Sequence, residues 1–166
     1  MTNVLVAFAT KGGTTQSIAE RLGARLTEAG HAVAVVSVQD DPDPAAYEAV
    51  LIGSGVQAGS VYAPAGHWLT VHRRGLDHKP VGVFAVCLGM VAGDPARLEE
   101  SSRYPGQLAE VLPGEPVATT VFAGSYDPRT RAWWERLAAR LIRSPRGDFR
   151  DWAAVDAWGD DLAGRL

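Results

Sequence analysis

The chain has a single cysteine, Cys87, in 166 residues, which excludes an internal disulfide and leaves no thiolate set for a structural metal. Its four histidines, His31, His67, His72 and His78, are dispersed, without the short spacing that zinc ligands or an acid–base dyad require. Basic excess is also missing. The formal net charge is −3 and the pI about 5.8, so the electrostatic footprint of a nucleic-acid binder is absent. No apolar run approaches the roughly 20 residues of a membrane span. The first of them, Val4–Ala9, has no basic leader, so no signal peptide is expected. With 46% hydrophobic and 21% charged residues, disorder, a fibre and a repeat array are all disfavoured. The expectation is one soluble, cytoplasmic domain spanning residues 1–166.

What the sequence does contain is a recurrence of short Val-rich runs: Val4–Ala9, Ala32–Val38, Ala49–Ile52, Val81–Cys87 and Val117–Ala123. They are apolar throughout instead of alternating, as suits parallel strands covered on both faces. Helical patterns lie between them. The clearest is Thr14–Ala29, where Ile18, Leu22 and Leu26 stand four apart and Gly30 follows as a stop. Others fit Pro64–Gly75, Pro95–Leu112, Arg129–Arg143 and Asp151–Ala163. Asp40-Asp41-Pro42-Asp43-Pro44 reads as a turn whose charges cap the next element. Right-handed crossovers then predict an α/β fold, a doubly wound five-stranded parallel sheet of order 2-1-3-4-5 between two helical layers. Ligands of such sheets bind beyond the strand C-termini, so the loops after Ala9, Ile52, Cys87 and Ala123 are the ones to read.

Thr10-Lys11-Gly12-Gly13-Thr14-Thr15 joins the first strand to the first helix. Glycines and hydroxyls at a helix N-terminus suit an anion, because amide N–H groups and the helix dipole face it. The same residues also suit a tight turn with a capping Thr, and the loop alone leaves both readings open. No Walker phosphate loop and no Gly-x-Gly-x-x-Gly fingerprint is present at this junction. After the third strand, the small residues of Gly53-Ser54-Gly55-Val56 lead through Gly59 to Tyr62, which suits a flat ring or a plain flexible connection. Cys87-Leu88-Gly89 after the fourth strand forms a second small, apolar edge, with Cys87 read as a buried hydrophobe and not a nucleophile. Gly124 and Tyr126 follow the fifth strand, Tyr126 being either a ring contact or an ordinary turn aromatic.

The first loop resembles the phosphate loop of flavodoxins, Ser/Thr-x-Thr-Gly-x-Thr. Thr10, Gly13 and Thr15 match, and Gly12 stands where the motif has its middle Thr. Within that superfamily the chain is most similar, nearly end to end, to the menaquinone-dependent protoporphyrinogen oxidase branch. The similarity rests on Phe8–Thr15 with Ile18-Ala19, on Ile52–Val56 with Gly59 and Tyr62, and on Ala123-Gly124 leading to Tyr126-Asp127-Pro128. It continues in Trp133-Trp134-Glu135-Arg136, Gly147-Asp148 and Asp151-Trp152. The resemblance implies FMN as cofactor, with contacts at Thr10, Lys11, Gly12, Gly13, Thr14, Thr15, Ser54, Gly55, Val56, Cys87, Leu88, Gly89, Gly124 and Tyr126. It also implies electron flow from a porphyrin precursor through FMN to a quinone; no resident metal is expected, since the His and Cys residues form no ligand cluster.

Two departures from that branch are visible. Between Cys87 and Pro116 the basic residues are only Arg97 and Arg103, few for porphyrin carboxylates, and the region after Trp134 is short. The stretch with Trp133, Trp134, Arg129, Arg131, Arg136, Arg140 and Arg143 is either a patch for a quinone, porphyrin or peripheral membrane surface, or an amphipathic helix with solvated arginines. Two alternatives to an enzyme stand beside it: a flavodoxin-type carrier docking on a redox protein, and a flavodoxin fold that has lost its flavin.

Overall fold

Strands that are apolar on both sides must be covered on both sides, and that requirement organises the molecule. The structure, a computed structural model, describes residues 1–91, 94–126 and 147–166. The predicted helix Arg129–Arg143 and its Trp133-Trp134 pair lie outside the described residues. The parallel strands are β1 (Asn3–Ala9), β2 (Ala32–Ser37), β3 (Ala49–Gln57), β5 (Val81–Cys87) and β6 (Ala118–Ala123). They pair in the order β2-β1-β3-β5-β6, which is the predicted doubly wound order. A short β4 (Ser60–Val61) folds back antiparallel on β3, and β7 (Ser125–Tyr126) pairs with β8 (Gly147–Asp148) as a separate ribbon.

Alternate residues of each strand feed opposite layers. Val4, Val6, Phe8, Leu51, Phe84 and Phe122 pack under α1 (Thr14–Glu28) and the last helix, α5 (Trp152–Ala163). Leu5, Ala7, Val50, Ile52 and Val83 pack under α2 (Ala63–Val71) and α4 (Tyr104–Ala109). Phe84, Phe122 and Trp158 form a tilted cluster with centroids 5.8–6.1 Å apart. Each of the two buried phenylalanines contributes about 1.5–3 kcal/mol over leaving it exposed, with the partly buried Trp158 packed against them.

Three element boundaries differ from the sequence reading. The third strand does not stop at Ile52: Gly53, Ser54 and Gly55 continue its ladder with β1 and β5, and it turns only at Ala58-Gly59, whose φ values are 52° and 78°. Glycine is required there by neighbours and not by a loop, since a Cβ on Gly53 would run into the Phe84 ring. The predicted helix Pro95–Leu112 is two, α3 (Pro95–Ser102) and α4. Pro105 sits in the first turn of α4, where its missing N–H is harmless, and so marks a start. The helix predicted to Gly75 ends at Val71, followed by a 3-10 turn over Arg73–Leu76. Gly30, at φ 95°, ends α1 as expected, and Asp43 caps the turn at Pro44–Ala46 by accepting from the Ala45 N–H at 2.9 Å. Among the described residues no helix is long and apolar enough to cross a membrane.

Candidate functional site

The carboxyl ends of β1, β3, β5 and β6 come out at one edge, because Ala9 is level with Ser54, Gly55 with Val86, and Cys87 with Ala123. The strand order reverses at β1, where β2 lies on one side and β3 on the other. That reversal opens a crevice beyond the strand ends.

The β1–α1 loop is wound as a cradle. Gly13 sits at φ 83° as the N-cap of α1, a conformation that costs a side-chain-bearing residue about 1–2 kcal/mol. Its N–H is satisfied by Thr10 Oγ1 at 3.0 Å. The first intrahelical bond runs from the Ser17 N–H to the Gly13 carbonyl at 3.1 Å, so the N–H groups of Thr14, Thr15 and Gln16 are the unpaired opening of the helix. Thr14 Oγ1 meets Ser125 Oγ at 2.8 Å, tying the cradle to the segment after β6. Thr15 is buried, Gly12 exposed, and Lys11 reaches away from the loop. The Lys11 Nζ donates to Gln57 Oε1 at 2.5 Å and lies 5.4 Å from the Tyr62 ring centroid, so it bridges the first and second edges.

Ser54 is fully buried, donating to the Gly55 carbonyl at 2.9 Å and accepting from the Tyr62 N–H at 3.0 Å. Its hydroxyl is thus committed to shaping the turn. A Cβ on Gly55 would come within 2.5 Å of the Tyr62 ring, so glycine lets that ring lie on the backbone. The hairpin tip is held from its other side by Gln107, whose Oε1 accepts from the Val61 N–H at 3.0 Å. Val56 and Cys87 join a small apolar cluster with Ala85, Val61, Met90 and Tyr104. Cys87 is buried, as expected of a hydrophobe. Burial, with the Glu100 carboxylate adding to it, pushes the Tyr104 phenol pKa up. Leu88 and Gly89 form a 3-10 turn, and Gly89 backs on to Ser101 of α3.

Gly124 is buried and donates its N–H to the Cys87 carbonyl at 3.1 Å. Tyr126 carries a buried hydroxyl with no hydrogen-bond partner among the described residues. All fourteen residues read from the sequence therefore lie at or just inside one sheet edge. Three contributors are not among those fourteen: Ser125, Gln57 and the Arg150–Asp148 pair, in which Nε and Nη2 grip both carboxylate oxygens at 2.7 and 2.5 Å. Among the described residues no three His, Cys, Asp or Glu side chains converge as a metal site.

Residues 5–152 match the Flavodoxin domain family. The chain belongs to this family. Protoporphyrinogen IX dehydrogenase [quinone] of Escherichia coli is 26% identical over 96% of this chain and 93% of its own length. Oxidised flavodoxin 1 of Bacillus cereus superposes with a TM-score of 0.62 at 14% identity, covering 99% of both chains. A flavodoxin of Fusobacterium nucleatum bound to flavin mononucleotide gives 0.55 at 16% identity over 77% of this chain and 74% of its own.

FMN is the cofactor that goes with a flavodoxin domain, and the residues present fit it on two counts. The open helix terminus at Thr14–Gln16, with the Thr10 hydroxyl beside it, offers donors for a phosphate. The orphaned Tyr126 hydroxyl, on the segment that follows β6, is a buried polar group left for a ligand to satisfy.

Proposed function

We propose that this chain holds FMN in the crevice beyond β1, β3, β5 and β6 and acts as a protoporphyrinogen-oxidase-like oxidoreductase, taking electrons from a reduced substrate and delivering them to a quinone. The observation that carries this reading is the extent of the match to the Escherichia coli dehydrogenase, 96% of one chain against 93% of the other. A match of that extent covers every strand and loop of the site and not only the phosphate cradle.

When bound, FMN supplies the redox chemistry, accepting electrons from a donor and passing them on. The chain's residues bind and orient. Thr10, Gly12, Gly13, Thr14 and Thr15 hold the phosphate; Ser54, Gly55, Val56, Cys87, Leu88, Gly89, Gly124 and Tyr126 wall the ring and exclude water; Lys11 places a cation across the rim. Contact with a quinone in a membrane calls for peripheral association at the inner face, and the sequence offers the Trp133-Trp134 arginine stretch for it.

A second reading, a flavodoxin-type carrier serving a redox protein, is favoured by one observation. The exposed helix α3 beside Gly89, with its capping Asp94, presents Asp94, Glu99 and Glu100 against the single Arg97, and its flanking Arg103 is already engaged by Glu99 at 2.5 Å. That surface repels porphyrin carboxylates. The two readings separate in an anaerobic assay of FMN-loaded protein with protoporphyrinogen and a soluble quinone. Porphyrin fluorescence that grows with quinone supports the enzyme. Loaded protein that leaves protoporphyrinogen untouched, yet exchanges electrons with a redox protein, contradicts it and supports the carrier.

A further inference from the structure

The cradle is braced from behind by a closed circuit of side-chain contacts and one backbone strand pairing, most of whose members the phosphate-loop motif does not include. Thr14 Oγ1 meets Ser125 Oγ at 2.8 Å. Ser125 lies opposite Asp148 in the β7–β8 ribbon, and both Asp148 carboxylate oxygens accept from one edge of the Arg150 guanidinium, Nε and Nη2. Arg150 Nη1 then donates to Ser17 Oγ at 2.7 Å, and Ser17 Oγ donates back to the Thr14 carbonyl at 2.7 Å. The circuit starts and ends on the first turn of α1, whose N–H groups open towards the anion position.

Arg150 is well placed to hold such a ring rigidly. Its side chain is only 22% exposed, against 51% for Asp148, and its guanidinium lies 4.9 Å from the Trp152 ring centroid. A planar, bidentate fork stacked on an indole loses little freedom when it forms hydrogen bonds, unlike a flexible lysine. The pairing is felt by both partners: the Arg150 hydrogen bond holds Asp148 below the ordinary carboxylate range, and Asp148 raises Arg150. By donating to Ser17 Oγ, Arg150 also leaves the Ser17 proton pointed at the Thr14 carbonyl, which fixes the turn that carries Thr14, Thr15 and Gln16.

We infer that Arg150 is a positioning residue for the ligand's phosphate, acting through Ser17 and the β7–β8 ribbon, and that this ring makes the site select a flavin phosphomonoester over the unphosphorylated flavin. This rests on the FMN reading above. A fixed cradle has its N–H groups aimed before the anion arrives, so the ordering cost falls on folding and not on binding. Most of the benefit falls on the phosphate, because the ring-contacting walls at Gly55, Cys87 and Gly89 share no member with the circuit, and of the ring-facing residues only Gly124 and Tyr126 flank Ser125 on it.

The test is a pair of titrations, FMN and riboflavin, followed by quenching of flavin fluorescence, on wild type, Arg150→Gln, Ser17→Ala and a control, Arg21→Gln. Arg21 makes a comparable ion pair with Asp156, at 2.6 Å, from the same helix but outside the ring. Wild type is expected to prefer FMN strongly. Arg150→Gln is expected to raise the FMN Kd about tenfold, equivalent to one charge-assisted hydrogen bond, with the riboflavin Kd moving less than about twofold. Ser17→Ala should shift in the same sense, and Arg21→Gln should keep the wild-type preference. Wild type that binds FMN, with Arg150→Gln retaining the same FMN-to-riboflavin ratio, overturns this inference and leaves the proposed function standing. Wild type that binds neither flavin overturns both.

Discussion

Replacing Tyr126 by Phe separates what its hydroxyl costs the ligand-free protein from what it gives a ligand. The oxygen is buried without a partner among the described residues. An unsatisfied buried hydroxyl costs about 1–3 kcal/mol, while the ring keeps its packing in Phe. Ligand-free Tyr126→Phe is therefore expected to be more stable than wild type, and at this chain length each kcal/mol corresponds to about 2–4 °C in Tm. FMN binding should move the opposite way. Wild type sheds the penalty when a ligand acceptor reaches the hydroxyl, and the variant has none to shed. A loss of about 1–2 kcal/mol in binding raises the Kd roughly five- to thirtyfold. Thermal melts with and without FMN, together with fluorescence titration, measure both signs on one sample. A ligand-free variant that melts lower, or one that melts higher with an unchanged Kd, refutes the assignment of Tyr126 to the site.

Gly53→Ala drives a methyl into the Phe84 ring between two buried ladders and is expected to cost about 1–3 kcal/mol, read as a lower urea midpoint with unchanged slope. Gly13→Val forces a β-branched residue to φ 83°; it is expected to lose about 1–2 kcal/mol of stability and to weaken FMN more than riboflavin in the same titrations. Stability should also fall in acid. Hydrogen bonds to Arg150 and Arg21 hold Asp148 and Asp156 below the ordinary carboxylate value of 3.8. Their contribution is present above that value and is lost as pH drops through the lowered ones, so urea midpoints should decline below about pH 4 and not between pH 5 and 8. Because both carboxylates are partly exposed, the decline should shrink in high salt.

The sheet was legible because its strands are apolar on both sides. Leu5 and Val6, or Val50 and Leu51, face opposite helical layers, and that leaves an uninterrupted apolar run that no half-exposed strand would show. Helix α1 was legible from Ile18, Leu22 and Leu26 and from Gly30. Gly53-Ser54-Gly55 misled for a physical reason: the residues that usually mark a turn were chosen here by Phe84, distant in sequence, and by Tyr62, just past the returning strand. Composition cannot tell the two causes apart. The candidate cradle showed through local chemistry, glycines and hydroxyls ahead of a helix, a pattern that a tight turn with a capping Thr also shows. Its bracing did not, because Ser17 meets Arg150 across 133 positions and Thr14 meets Ser125 across 111. Lys11 was singled out as a loop residue, yet what it does, crossing to Gln57 and Tyr62, depends on how β3 turns.

The central claim is that the carboxyl edge of this sheet is an FMN site. It is tested most directly by titrating purified protein with FMN while following the flavin's fluorescence and visible absorption. The account predicts quenching that saturates at one FMN per chain, with a Kd well below about 10 µM, equivalent to roughly −7 kcal/mol or better. Fluorescence that stays unquenched at tens of micromolar FMN would contradict it.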